Sequence, residues 1–176
     1  RQQAAAPGSN LDATPRPILC VAPPHLPYAP ALATMGLAPD RWLHVLPTTD
    51  PDAAWAAEQG IKSKACGAVF WWVSANMRSA ALNNSLRRLQ LAAQTHQTPI
   101  FVVRSTAAQS QASPAPVRLI LQAIAPGKLA VTVFKRRGLP MVQPVVLALS
   151  SLIPKASKES LHILLKEKSH PRHPQR

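Results

Sequence analysis

Carboxylates are what this sequence has least of. Seven acidic residues stand against twenty Lys and Arg, a formal net charge of +13. The seven are Asp12, Asp40, Asp50, Asp52, Glu58, Glu159 and Glu167. None falls from Gln59 to Lys158, a span that carries thirteen Lys and Arg. Paired-carboxylate acid/base chemistry and all-oxygen Mg²⁺ or Ca²⁺ sites are excluded from that span, because it holds no acid to build them. Glycine is also scarce, six in all and none clustered. A phosphate cradle needs consecutive backbone N–H groups free of side chains, and no G-x-x-x-x-G-K-[ST] occurs. The two cysteines, Cys20 and Cys66, fall in or beside predicted strands and are expected to be buried, reduced thiols of a cytosolic protein. No run approaches about 18 apolar residues, so no membrane span is expected. The N-terminal RQQAAAPGSN lacks the apolar core of a signal peptide. It also lacks an initiator methionine, so further residues are expected upstream. The expected location is cytoplasmic.

What is present is a core-forming chain, 47% hydrophobic over 176 residues. Residues 1–16 read as a loose lead-in, 17–150 as one α/β domain, and 151–176 as a basic tail with some helical patterning. PILCVA (17–22) is a short strand, broken by PPHLPYAP, whose four prolines forbid a regular helix. A short helix over about 29–35 closes at Gly36, and RWLHVLP is a second strand. In TTDPDAAWAAEQGIKSKA, Asp50 can cap a helix, Pro51 fits its first position and basic residues occupy the last turn. ACGAVFWWVSANM (65–77) is a third, buried strand that ends at Ser74 and Asn76. In Ser85–His96, Leu86, Leu89 and Ala93 form one stripe at helical spacing. PIFVVR (99–104) is a fourth strand. The low-complexity STAAQSQASPAP is expected to be a mobile loop. VRLILQAI, the turn APGK and LAVTVFKRR read as a hairpin, with VVLALSSLI a further strand. This alternation predicts a mostly parallel sheet with helices on both faces, followed by a C-terminal β-hairpin.

Each candidate chemistry has a plainer competitor. The HPRH pair (170–173) is interrupted by prolines with no cysteine nearby, and reads as a solvated tail rather than a zinc site. Cys66 with a distant histidine could form a nucleophilic pair, but a thiol entering a buried strand is more simply a small core residue. Trp55, Trp71 and Trp72 could stack bases. Core or helix packing is the stronger reading, since adjacent strand residues point to opposite faces. No catalytic residue, metal ligand or cofactor is expected. The basic clusters say more: Arg87–Arg88 on a helix and Lys135–Arg136–Arg137 at a strand end lack local neutralisation. A strongly basic balance favours a polyanion or an acidic protein as partner.

The order of elements resembles the RecA core, from its second strand through its Walker B strand to its sensor strand. A closer resemblance is to the ImuA family of translesion-synthesis accessory proteins, which has RecA-like architecture. It is carried by APPHLPYAPAL, WAAEQ, ACGAV, LRRLQLAAQ and KRRG with Pro140, and covers about Pro17–Leu149. The cell-division inhibitor SulA is a shorter relative of similar layout. The resemblance implies that the strand carrying the P-loop precedes residue 1. It also implies where the RecA chemistry would stand. The catalytic Glu matches about Pro24, the Walker B Asp falls near Val73–Ser74, and the sensor Gln matches Arg104. ATP hydrolysis needs a base, a metal-holding acid and a γ-phosphate sensor, and none of the three is there.

Two functions follow from the resemblance. In the first, the chain is a non-catalytic accessory protein of damage-induced translesion synthesis, an adaptor between DNA, RecA and an error-prone polymerase complex with an ImuB-like subunit. Its DNA face would comprise Arg87, Arg88, Arg104, Lys135, Arg136 and Arg137. In the second, it is a SulA-like inhibitor that binds the tubulin-like protein FtsZ and blocks septation, with no DNA role.

Overall fold

A computed structural model describes residues 15–138, 141 and 143–149. The expected tail after residue 150 and the lead-in before Pro15 lie outside the described residues. Four short strands, β1 (Ile18–Val21), β2 (Trp42–Val45), β3 (Ala68–Trp72) and β4 (Ile100–Val103), form a parallel sheet in the order β2-β1-β3-β4. Three helices connect them: α1 (Ala29–Thr34), α2 (Asp50–Lys62) and α3 (Ser79–His96). The chain steps from β1 to one side to make β2, then returns across β1 to make β3 and β4. Because such crossovers are right-handed, α2 and α3 share one face and the short α1 belongs to the other.

The core sits between the sheet and the α2–α3 pair. Leu19, Val21, Val69 and Trp71 project from the strands against Ala53, Ala57, Ile61, Leu82, Leu86 and Leu89. Trp71 and Ile61 are almost wholly buried. Gly60 lets α2 approach the sheet closely: a Cβ there would lie 2.3 Å from Leu19 Cδ2 and 3.3 Å from Val69 Cγ2. Both cysteines are buried and free, as their strand settings suggested.

Three local expectations change. The cap of α2 is Thr49, not Asp50: its Oγ1 accepts from the Asp52 N–H at 3.2 Å and donates to Asp52 Oδ2 at 2.6 Å. Asp50 is already inside the first turn. Helix α3 begins six residues earlier than its leucine stripe indicated, because Leu82 and Ser85 extend the buried face. Ala92, rather than Ala93, is the buried alanine near its end.

The hairpin does not continue the parallel sheet. β5 (Arg118–Ala125) and β6 (Lys128–Lys135) pair antiparallel around Gly127, whose φ of 68° suits a residue without a side chain. β7 (Val145–Ala148) pairs with the outer side of β6, making a separate three-stranded sheet. The fold is thus α/β, a parallel four-stranded sheet with helices plus an antiparallel sheet. No helix among the described residues is long and apolar enough to cross a membrane.

Candidate functional site at the carboxyl edge of the parallel sheet

In open α/β sheets ligands bind beyond the carboxyl ends of the strands. Pro24, Ser74 and Arg104 all lie there, just after β1, β3 and β4. Ala22 turns the chain out of β1 with φ 52°, its N–H held by Val45 O at 2.9 Å. After β3, Val73 N–H reaches Val103 O at 3.0 Å, and the exposed Ser74 folds the next turn by accepting from Asn76 N–H at 3.2 Å. Ser74 therefore works as a turn former. Among the described residues no group of three His, Cys, Asp or Glu is placed to hold a metal ion. Burial pushes both the Cys20 and the Cys66 thiols up, with the Arg16 charge opposing it at Cys66, so neither is set up as a thiolate nucleophile.

The sequence-predicted cations divide into two groups. On α3, Arg87 is exposed, while Arg88 turns toward α2 and forms an ion pair with Glu58, its Nη2 at 2.5 Å and Nε at 3.1 Å from Oε2. Lys62 approaches the other oxygen of Glu58 at 2.6 Å. Arg104 and Lys135 belong elsewhere, around the loop that follows β4. Arg104 Nη2 donates to Gln111 Oε1 at 2.5 Å, and Lys135 Nζ to Ser113 O at 2.6 Å. Arg136 and Arg137 follow directly after the end of β6.

Arg118 belongs with the second group and was not singled out from the sequence. Its Nη1 donates to Gln111 O and its Nη2 to Ala108 O, both at 2.9 Å, and its guanidinium stacks 4.6 Å from the Phe134 ring centre. No simple signal was available: the strands shift register between Ala123 and Ala125 and again between Arg118 and Leu119, and only the two shifts together set Arg118 opposite Lys135. These bonds give the low-complexity loop defined contacts. The 105–116 segment opens with a 3-10 turn over Thr106–Ala108, buries Ala108 and is tied down by three cations.

The second feature is the sheet face opposite α2 and α3. Strand alternation turns Phe70, Trp72, Phe101 and Val103 to that side. The Phe70 and Phe101 rings stack with centres 4.7 Å apart, and Phe70 and Trp72 with centres 6.0 Å apart. Phe101 is 49% exposed and Val103 39%. α1 belongs to the β1–β2 crossover, and among the described residues the β3–β4 half carries an aromatic stripe, exposed at Phe101 and half-buried at Phe70 and Trp72, that runs into Arg104. Trp71, the neighbour of Trp72, is core, whereas Trp55 is 61% exposed on the outer side of α2.

No protein-family model matches this chain, and no curated protein matches it either. Among solved structures the chain is similar to SulA from Pseudomonas aeruginosa, with 20% sequence identity and a TM-score of 0.40, over 51% of this chain and 72% of that one.

Proposed function

We propose that this chain is a non-hydrolysing binding protein of RecA-type layout, which docks an acidic protein on the open half of its parallel sheet. One observation carries the reading: the stacked Phe70–Phe101–Trp72 stripe, exposed at Phe101, half-buried at Phe70 and Trp72, and continuous with the carboxyl edge at Arg104. Exposed contiguous apolar surface on a soluble domain marks interaction sites. Charge complementarity specifies the partner's chemistry, an apolar patch bordered by carboxylates, since about a hundred residues around the stripe contain none. Pro24, Ser74 and Arg104 in place of base, acid and sensor support a role without turnover.

The sequence resemblance to SulA then gives the first specific reading, a cytoplasmic inhibitor of cell division whose partner is FtsZ. Overexpression should produce filamentous cells, and Phe101→Asp should abolish the filaments while leaving the protein folded. Normal division on overexpression of the soluble, folded wild-type chain would count against this partner.

A second reading, the ImuA-type adaptor between DNA, RecA and an error-prone polymerase complex, is supported by Lys135 opposite Arg118 and by Arg136 and Arg137 directly after it in the chain. It expects the triple change of these three residues to Glu to weaken single-stranded DNA binding and flatten its salt slope by about 2–3 units. Binding that keeps its strength and slope at low salt would exclude the DNA face.

A further inference from the structure

Three cations without a carboxylate converge on one short loop. The β5–β6 register sets Arg118 directly opposite Lys135. Like charges facing each other across strands destabilise a sheet unless something neutralises them. Arg104 brings a third charge to the same loop through Gln111. Partial burial and the Arg118 charge hold the Arg104 guanidinium below its usual value, as close packing of like charges requires. The ion pairs among the described residues join Glu58 to Lys62 and Arg88, and involve none of these three.

All the partners of this cluster are neutral oxygens: the carbonyls of Ala108, Gln111 and Ser113 and the Gln111 amide. Neutral donors could pin a loop as well, without the mutual repulsion. The bonds also leave donor capacity unused. Arg118 employs two of its five N–H groups in them, Arg104 one of five, and Lys135 one of three. Arg118 is held in place from both sides, by two carbonyls and by the Phe134 ring, which fixes its planar fork before any ligand arrives. Between the 109–113 loop and Arg118, Phe134 and Lys135 lies an open groove of about 470 Å³.

We propose that this groove is an anion site for a phosphate group, gripped by Arg118 and Lys135 in its wall and supported by Arg104 behind the loop. A phosphate supplies the negative charge that the cluster lacks, and its oxygens match the guanidinium fork. The groove is open to solvent, so a phosphate carried on a larger molecule can enter it. Both a free phosphate compound and a nucleic-acid backbone offer that chemistry. The site stands whether or not a protein docks on the aromatic stripe.

Calorimetric titration of the full chain at low salt, with inorganic pyrophosphate and separately with a short oligo-dT strand, tests the site. Pyrophosphate binding should weaken about tenfold in Lys135→Gln, and again in Arg118→Lys, which keeps the charge but loses the fork. Lys128→Gln, at the turn end of the same hairpin, removes an equal charge and should change little. Oligo-dT that binds and displaces pyrophosphate would identify a backbone phosphate, and pyrophosphate binding alone would identify a free phosphate compound. Failure of the wild-type chain to bind either probe would overturn the proposal. So would equal weakening by Lys128→Gln and Lys135→Gln, which would reduce the effect to net charge. If Arg118→Lys melts below the wild type, Lys135→Gln, whose side chain is exposed, still decides the outcome.

Discussion

Adjacent residues Trp71 and Trp72 show how strand alternation divides labour. Trp71 is 1% exposed within the α2–α3 core, and Trp71→Ala should cost about 3–5 kcal/mol, read as lost cooperative melting. Trp72 lies on the open face, so Trp72→Ala should cost no more than about 1–2 kcal/mol while weakening partner binding. Glu58 is the residue whose charge matters most to the helices. The Lys62 hydrogen bond holds its carboxyl below the usual range; partial burial opposes this, and the Arg88 hydrogen bond and charge reinforce it. A carboxyl depressed in the folded state adds stability above its unfolded pKa, and that stability disappears as pH falls through the folded value. Both cations are largely exposed, so the contribution is only about 0.5–1 kcal/mol. Melting the wild type and Glu58→Gln at about pH 7 and about pH 3 should show a gap at neutral pH that closes in acid. A gap that persists at low pH would mean that packing, not charge, sets the effect.

At the scale of elements, α2 is specified at its cap and at its closest approach to the sheet. Thr49→Ala removes the acceptor for Asp52 N–H and should cost about 1 kcal/mol in denaturant melts. Gly60→Ala gains about 1 kcal/mol of helix propensity. It also drives a Cβ into Leu19 Cδ2, and overpacking costs about 1–3 kcal/mol, so net destabilisation is expected. Leu19→Val should recover part of that loss in the double variant, whereas additive effects would show that the contact is not the cause. The elements were legible to different degrees. The parallel strands and α2 were readable because β-branched runs, a Pro in the first turn and a basic last turn are local signals. The early start of α3 was not, because Asn83 and Asn84 interrupt a stripe that only packing of Leu82 reveals. Arg118 was not, because two register shifts in the hairpin set its partner and its meaning depends on Gln111 and Ala108, which a loop of low complexity does not announce.

For the whole molecule, the sequence's missing acids and the structure's open face point the same way. Pro24, Ser74 and Arg104 lie at the carboxyl edge of the parallel sheet, the positions where the RecA resemblance would put a base, an acid and a sensor. The open face could not be read from the strands, because buried parallel strands are apolar on both sides whether or not a second layer covers them. What distinguishes them is the short α1 of the β1–β2 crossover: among the described residues Phe101 stays exposed and Phe70 and Trp72 only half-buried. The most direct test is the affinity of the full chain for purified FtsZ, wild type against Phe101→Asp, with the fold of each checked by thermal melting. Docking on the aromatic stripe predicts binding by the wild type and at least a tenfold loss (about 1.4 kcal/mol) in the folded variant. A folded Phe101→Asp chain that binds as tightly as the wild type would contradict the docking surface, and a wild-type chain with no affinity would contradict the partner.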